Sequence, residues 1–264
     1  MCLIFFAINA HTEFPLIVAA NRDEYFQRPT LPMHGWDNSN IVAGKDLTGG
    51  GTWMGMSKTG RFAALTNFRD PQESIHNPLS RGLLVRQFLE STQSAPDYLE
   101  SVIHEGHRYP GFNLVAGQGH QLWYVSNKSA RQPQPLEAGI HGLSNHLMNT
   151  PWPKVSQGKT ALQQVLQRNP HPGEHTLKNS LFDLMNHREP AADQDLPDSG
   201  VGAFLEKVLS PRFIQAPMLN YGTRCSSVIL INNERHHYLF EKTWDSNGQE
   251  VDKVELKLTA GDPC

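Results

Sequence analysis

Apolar and polar positions in this chain fall in short blocks. Cys2-Leu3-Ile4-Phe5-Phe6-Ala7-Ile8 is an unbroken apolar run rich in strand formers, and Leu16-Ile17-Val18-Ala19-Ala20 is a second. Apolar runs of this length, bounded by turn residues, predict buried strands. Polar Asn9, His11, Thr12 and Glu13 lie between them, closed by Pro15, so the pair predicts a hairpin. The second run stops at Asn21-Arg22-Asp23-Glu24. In an antiparallel pair the end of the second strand lies beside the start of the first. That register sets Arg22 and Asp23 near Cys2.

The same reading extends down the chain. Tyr25 to Pro29 leaves the strand for a loop, and Arg28 and Trp36 fall in loop-like sequence, where binding groups often sit. Short strands are expected at Ile41–Gly44, Thr52–Ser57 and Arg61–Thr66, the last delivering Asn67-Phe68-Arg69-Asp70 at its end. Leu83, Leu84, Phe88 and Leu89 keep a helical period behind Ser80, which is placed to cap that helix. A second helix follows Pro96 through Leu99, Val102 and Ile103, and carries His104 and His107. Strands return at Phe112–Ala116 and Gln121–Val125. Asn145 then follows a short apolar stretch at a loop edge. Pro153 opens a helix striped by Val155, Leu162, Val165 and Leu166. Further helices are expected over His175–His187 and Val201–Leu209, with a surface loop at Glu189–Gly200 between them. The end is all strand, at 222–231, 235–244 and 251–258, with Cys225 inside the first as a packing residue. Blocks of hairpins separated by blocks of helices predict an α+β fold rather than alternating βαβ units, and one domain over 1–264.

Composition narrows the function classes. With 264 residues and a formal charge of −3 of mixed signs, the chain has no basic block, so no nucleic-acid partner is expected. No apolar run approaches the ~20 residues that span a bilayer. The N-terminal run lacks the positive flank of a signal peptide. Cys2, Cys225 and the terminal, exposed Cys264 form neither a paired framework nor a CxxC. An odd, unspaced count points to a reducing compartment, and so to the cytoplasm. The glycines of Gly49-Gly50-Gly51 lack the GxxxxGK[ST] order of a phosphate loop, so they are read as a tight turn or a close backbone approach. His104 and His107 lack a third ligand nearby. No metal and no cofactor is expected.

Cys2 is the centre of the chemistry that remains. A strand-starting cysteine read alone simply packs. If Met1 is removed, however, the thiol and its own α-amine share one residue. An α-amine of pKa about 7.7–8.0 can accept the proton of a thiol near neutral pH. That is nucleophile activation by an N-terminal base. Asp23 could hold the resulting ammonium, Arg22 could favour the thiolate, and the Asn67 amide could donate to a developing oxyanion.

Several motifs, in order across nearly the whole chain, carry a resemblance. They are the Met-Cys start, Asn21-Arg22-Asp23-Glu24, Gly49 to Trp53, Leu65 to Arg69, Leu143-Ser144-Asn145, Pro151-Trp152-Pro153-Lys154-Val155 and Gly222-Thr223-Arg224. Together they resemble the NRDE, or transport-and-Golgi-organisation, family. That family is similar to N-terminal-nucleophile (Ntn) hydrolases of the bile-salt hydrolase and penicillin V acylase branch. The resemblance implies an αββα sandwich of two antiparallel sheets between helices. It implies Cys2 as nucleophile, with Arg22, Asp23, Asn67, Asn145 and Arg224 as the other catalytic residues. A substrate pocket is expected from Asn21, Glu24, Phe26, Arg28, Trp36, Trp53, Phe68 and Arg69. Arg and Asp are adjacent here, whereas that branch spaces them apart; neighbours on one strand point to opposite faces. The implied activity is hydrolysis of a non-peptide C–N amide bond in a small molecule. The alternative is a non-enzymatic carrier of haem or a lipid or acyl ligand, since some members are linked to such handling and to secretory-pathway organisation.

Overall fold

A computed structural model describes residues 2–129, 132–168, 170–171 and 173–259. Met1, on whose removal the amine-assisted reading depends, and Cys264 lie outside the described residues. The chain begins with strands Cys2–Ile8 (β1), Leu16–Tyr25 (β2), Thr30–Gly35 (β3), Ile41–Asp46 (β4), Met54–Ser57 (β5) and Arg61–Asn67 (β6). Helices Gly82–Glu90 (α1) and Ala95–His104 (α2) follow. Then come strands Phe112–Gln118 (β7), Gln121–Ser126 (β8), Gln134–Pro135 (β9) and Gly139–Leu143 (β10). Helices Pro153–Arg168 (α3), Glu174–Met185 (α4) and Ala203–Val208 (α5) precede the last strands, Gln215–Ala216 (β11), Tyr221–Ile231 (β12), His236–Trp244 (β13) and Glu250–Thr259 (β14).

These strands form two antiparallel sheets. One runs β10-β1-β2-β12-β13-β14 with β11 on β12, and the other runs β3 to β9 in chain order. Alternation along β1 explains the layering. Ile4, Phe6 and Ile8 face the other sheet and join Val18, Met33, Met54, Phe62 and Ile229 in a central core. Leu3, Phe5 and Ala7 face outward onto α3 and α4, packing with Val155, Leu162, Leu177 and Leu181. On the opposite side, Ala63 and Leu114 of the second sheet pack on α1 and α2 through Leu84, Phe88 and Leu99. The α+β, αββα expectation holds. Because β1 is buried on both faces, it reads as a continuous apolar run rather than an alternating one. Burying each of its phenylalanines contributes about 1.5–3 kcal/mol. Among the described residues no helix is long and apolar enough to cross a membrane.

Three local expectations need correction. Strand β2 does not stop at Asn21 but continues to Tyr25, because β12 supplies partners as far as Tyr221 opposite Tyr25. Ser80 does not cap α1; Arg81 holds that position without a side-chain cap bond. His104 ends α2 and His107 lies in a separate 3₁₀ turn, Gly106–Arg108, so the two do not share a helix. No group of three potential metal ligands occurs among the described residues.

Candidate active site

Cys2 opens β1, directly across the ladder from Arg22 on β2. On the other side of β2, Arg22 is paired with Cys225 of β12. Next along, Asp23 pairs with Thr223, so Arg224 is the extra residue of a β-bulge. A bulge bends its strand and re-aims side chains. Here the Arg224 guanidinium turns to donate to the carbonyls of Tyr25 (2.9 Å) and Arg28 (3.1 Å) and to Thr30 Oγ1 (3.3 Å). Because Cys2 is the first residue of its strand, groups from both faces of β2 can border it. Arg22 and Asp23, adjacent in sequence, line one cavity with Cys2.

That cavity, about 480 Å³, opens where the two sheets end. Cys2, Arg22, Asp23, Glu24, Arg224 and Glu241 come from the first sheet; Lys45, Asp46 and Asn67 come from the second, and Trp53 lies just ahead of β5. Ser80, Arg81 and Gly82 close it at the start of α1. The glycine tract shapes this wall. A Cβ on Gly51 would sit 2.3 Å from the Gly82 backbone, and Gly50 has φ +68°. The loop therefore turns through a left-handed residue and lies backbone-to-backbone on the helix start, which only glycine permits.

Electrostatics at the thiol is dominated by burial. Cys2 is 6% exposed, and burial, reinforced by the Asp23 and Glu24 charges and opposed by Arg22, pushes its thiol up to about 11. The sulfur is therefore a protonated thiol at neutral pH, and any nucleophilic role needs a proton acceptor. Asp23 is buried, its Oδ1 accepting from Thr223 Oγ1 at 2.7 Å. Burial raises its pKa, opposed by the positive charge of Lys154, the Thr223 hydrogen bond and Arg22. Lys154, the second residue of α3, is 4% exposed and donates to the Leu209 carbonyl at 2.9 Å. Burial brings its ammonium down to about 8, with Asp23, Glu206 and Cys2 holding it up and Arg69 pushing it down. Beyond it lies the buried pair of Arg69 and Glu206, at 2.7 Å.

The other expected residues divide between the cavity and its supports. Glu24 and Arg28 line the cavity; Glu24 lies 3.8 Å from Arg22, and Arg28 is paired with Asp46 at 2.7 Å. Asn67 ends β6 at the cavity wall. Asn145 is not a lining residue: its Nδ2 donates to the Asn67 carbonyl at 3.0 Å and its own carbonyl accepts from Arg69 N at 2.7 Å. Asn21 is fully buried facing the helices. It donates to the carbonyls of Met185 (3.0 Å) and Arg212 (2.8 Å) and accepts from Ser226 Oγ (2.6 Å), so its amide is occupied in joining layers. Trp36 packs in the core beneath α1, its Nε1 donating to the Ala43 carbonyl at 3.1 Å. Phe26 lies under the Arg224 guanidinium, 5.4 Å from ring centre to Cζ, and Phe68 stacks on His146 at 4.8 Å, both outside the lining. Arg69 lies over the Trp152 ring, also away from the cavity. Sequence reading missed Arg81, Lys45, Glu241 and Lys154 as site-related groups. Lys154 carries one signal: a cation in the first turn of a helix opposes the macrodipole.

Comparison with known proteins agrees with this architecture. The chain aligns with a Homo sapiens protein named transport and Golgi organization protein 2 homolog at 35% identity over 260 residues, covering 92% of this chain and 93% of that one. It aligns with the Drosophila melanogaster transport and Golgi organization protein 2 at 27% identity over 270 residues, covering 92% of both. In fold it is similar to the crystal structure of a mutant conjugated bile acid hydrolase from Clostridium perfringens, with a TM-score of 0.52 and 8% identity, over 97% of this chain and 92% of that one. The two-sheet sandwich is thus an Ntn-hydrolase fold. The family model described as Transport and Golgi organisation 2 matches residues 1–246, and the chain belongs to that family.

Proposed function

We propose that this protein hydrolyses a non-peptide C–N amide bond, with Cys2 as nucleophile after removal of Met1. The observation that carries the reading is the convergence of Cys2, Arg22 and Asp23 on one cavity at the open end of β1. The burial-raised thiol gives the α-amine of Cys2 a task, because a protonated nucleophile needs an adjacent base. In this reading the amine takes the thiol proton and Sγ attacks the amide carbon. The Asn67 side chain donates to the oxyanion, while Asn145 holds the Asn67 backbone in place. The C–N bond then breaks, the ammonium protonates the departing amine, and a thioester remains on Cys2. Water adds to the thioester with one proton passing to the amine, the C–S bond breaks to release the carboxylic acid, and the ammonium returns its proton to the departing sulfur, restoring the Cys2 thiol and free amine. Asp23 steadies the ammonium, with Lys154 as the charge behind it. A reducing cytoplasm keeps such a thiol free.

The names of the relatives refer to transport and Golgi organisation, and a carrier of haem or an acyl ligand is the competing reading. The charged cavity lining supports chemistry on a polar ligand more than storage of an apolar one. A series of N-acyl-7-amino-4-methylcoumarin amides of increasing acyl length, each made with and without a terminal carboxylate on the acyl chain, tests the proposal. Turnover that disappears in Cys2→Ala supports it. No turnover of any member, or equal turnover in the variant, speaks for the carrier.

A further inference from the structure

The charges around the cavity are unevenly matched. Of its carboxylates, Asp46 is neutralised by Arg28 at 2.7 Å and Glu24 lies 3.8 Å from Arg22. Asp23 has Thr223 as hydrogen-bond partner. Glu241 is 3% exposed and bound by Met33 N (2.7 Å) and Ser227 Oγ (3.0 Å). Three lining cations remain: Arg81, Arg224 and Lys45. Among the described residues none of them has a carboxylate at ion-pair distance. Arg81 gives one bond, to the Gly111 carbonyl at 3.0 Å; Arg224 is spent on carbonyls and a hydroxyl; Lys45 lies over the Trp36 ring. The charges of Glu73 and Glu24 reach Arg81 only from beyond ion-pair distance, and Glu73 is already tied to Lys128 at 3.0 Å and to Gly111 N.

A partly buried guanidinium with no anion beside it is an expensive arrangement unless a ligand supplies the anion. Arginine's planar fork suits an oxyanion group of two or three oxygens. Resting on the hydrolase reading above, we propose that the substrate carries such a group, a carboxylate or a phosphate, near its scissile amide, and that Arg81 with Lys45 recognises it. Arg224, committed to the backbone, contributes charge rather than contacts. The substrate class becomes an anionic acyl amide instead of a neutral fatty amide.

Alkylating reagents that differ only in charge test this without knowledge of the substrate. Rates of Cys2 labelling by iodoacetate and by iodoacetamide are compared, each relative to glutathione. The expected result is an iodoacetate preference of about tenfold over the glutathione ratio, from one charge-assisted contact. Arg81→Gln should remove most of it, Lys45→Gln part of it, and Arg81→Lys should retain some. A glutathione-like ratio that Arg81→Gln leaves unchanged overturns the inference while the nucleophile reading stands. A Cys2 inert to both reagents sinks the nucleophile reading instead. In that case the anion site is read from the thermal midpoint in inorganic phosphate or in acetate. A rise that Arg81→Gln abolishes sustains the site, and the more effective anion names the group. No rise in either overturns it. If Arg81→Gln fails to fold, Lys45→Gln carries both comparisons.

Discussion

Replacing Lys154 with methionine should change how stability depends on pH more than it changes stability itself. The Lys154 ammonium holds its proton up to about pH 8 in the folded protein, against 10.5 for an ordinary lysine. Below pH 8 the folded and unfolded chains both carry the proton, and the fold bears the full cost of burying it, about 3 kcal/mol. Between pH 8 and 10.5 the unfolded chain binds more protons than the folded one, so stability from this group rises with pH; above 10.5 the cost is gone. Lys154→Met removes the titration. The wild-type stability minus that of the variant should therefore climb by about 3 kcal/mol between pH 7 and pH 10.5, and the other titrating groups largely cancel in the difference. At pH 7 the variant also leaves the Leu209 carbonyl without its donor, a loss of about 1–3 kcal/mol. It should consequently be as stable as the wild type or somewhat more so, while Cys2 becomes less reactive because Asp23 has lost its countercharge. Urea denaturation of both proteins at four pH values measures the difference. Parallel curves, or a variant crippled at pH 7 that gains relative stability on alkalinisation, would refute the reasoning.

Other predictions follow from buried contacts. Asn21→Ala strands two carbonyls and the Ser226 hydroxyl, and should cost about 2–4 kcal/mol in urea denaturation. Gly158→Ala would put a Cβ 2.0 Å from Phe5 Cζ, forcing α3 off the sheet. A loss of about 1–3 kcal/mol is expected, and Phe5→Leu should recover part of it. Arg69→Met leaves Glu206 buried among Ser199 bonds and should destabilise by about 3–5 kcal/mol. The double variant Arg69→Met/Glu206→Gln should be the more stable of the two.

Much of this fold is written in the apolar runs. β1, β2, β7, β8 and β12 are buried on one or both faces, so their residues announce themselves. Thr30–Gly35 hides because Leu31 and Pro32 look like loop; a proline is tolerated there because β3 is an edge strand. The extension of β2 through Asn21-Arg22-Asp23-Glu24 hides for a different reason. A charged cluster breaks a hydrophobic pattern, and only β12 pairing and a cavity at its side make it strand. Cys2, Arg22 and Asp23 could be brought together from hairpin register alone. The adjacency of Arg22 and Asp23 looked prohibitive, and the end of β1 with the bulge at Arg224 removes the difficulty. Asn21 and Trp36 were misplaced from the cavity because sequence does not say which face a polar or aromatic side chain takes. Arg81 gives no sign in the sequence, and Lys154 only its place in the Pro151–Val155 motif and in the first turn of a helix, since the role of each depends on burial against segments far away in the chain.

The central claim is that Cys2 acts as an N-terminal nucleophile. Its most direct test is the intact mass of the protein purified from a reducing cytoplasm, before and after a short exposure to iodoacetamide at neutral pH. In a Cys264→Ser background, which removes the terminal thiol, the account predicts a chain lighter by one methionine that gains a single carbamidomethyl group, mapped to Cys2 and not to Cys225. A chain that retains Met1, or one whose label lands on Cys225 while Cys2 stays free, contradicts it.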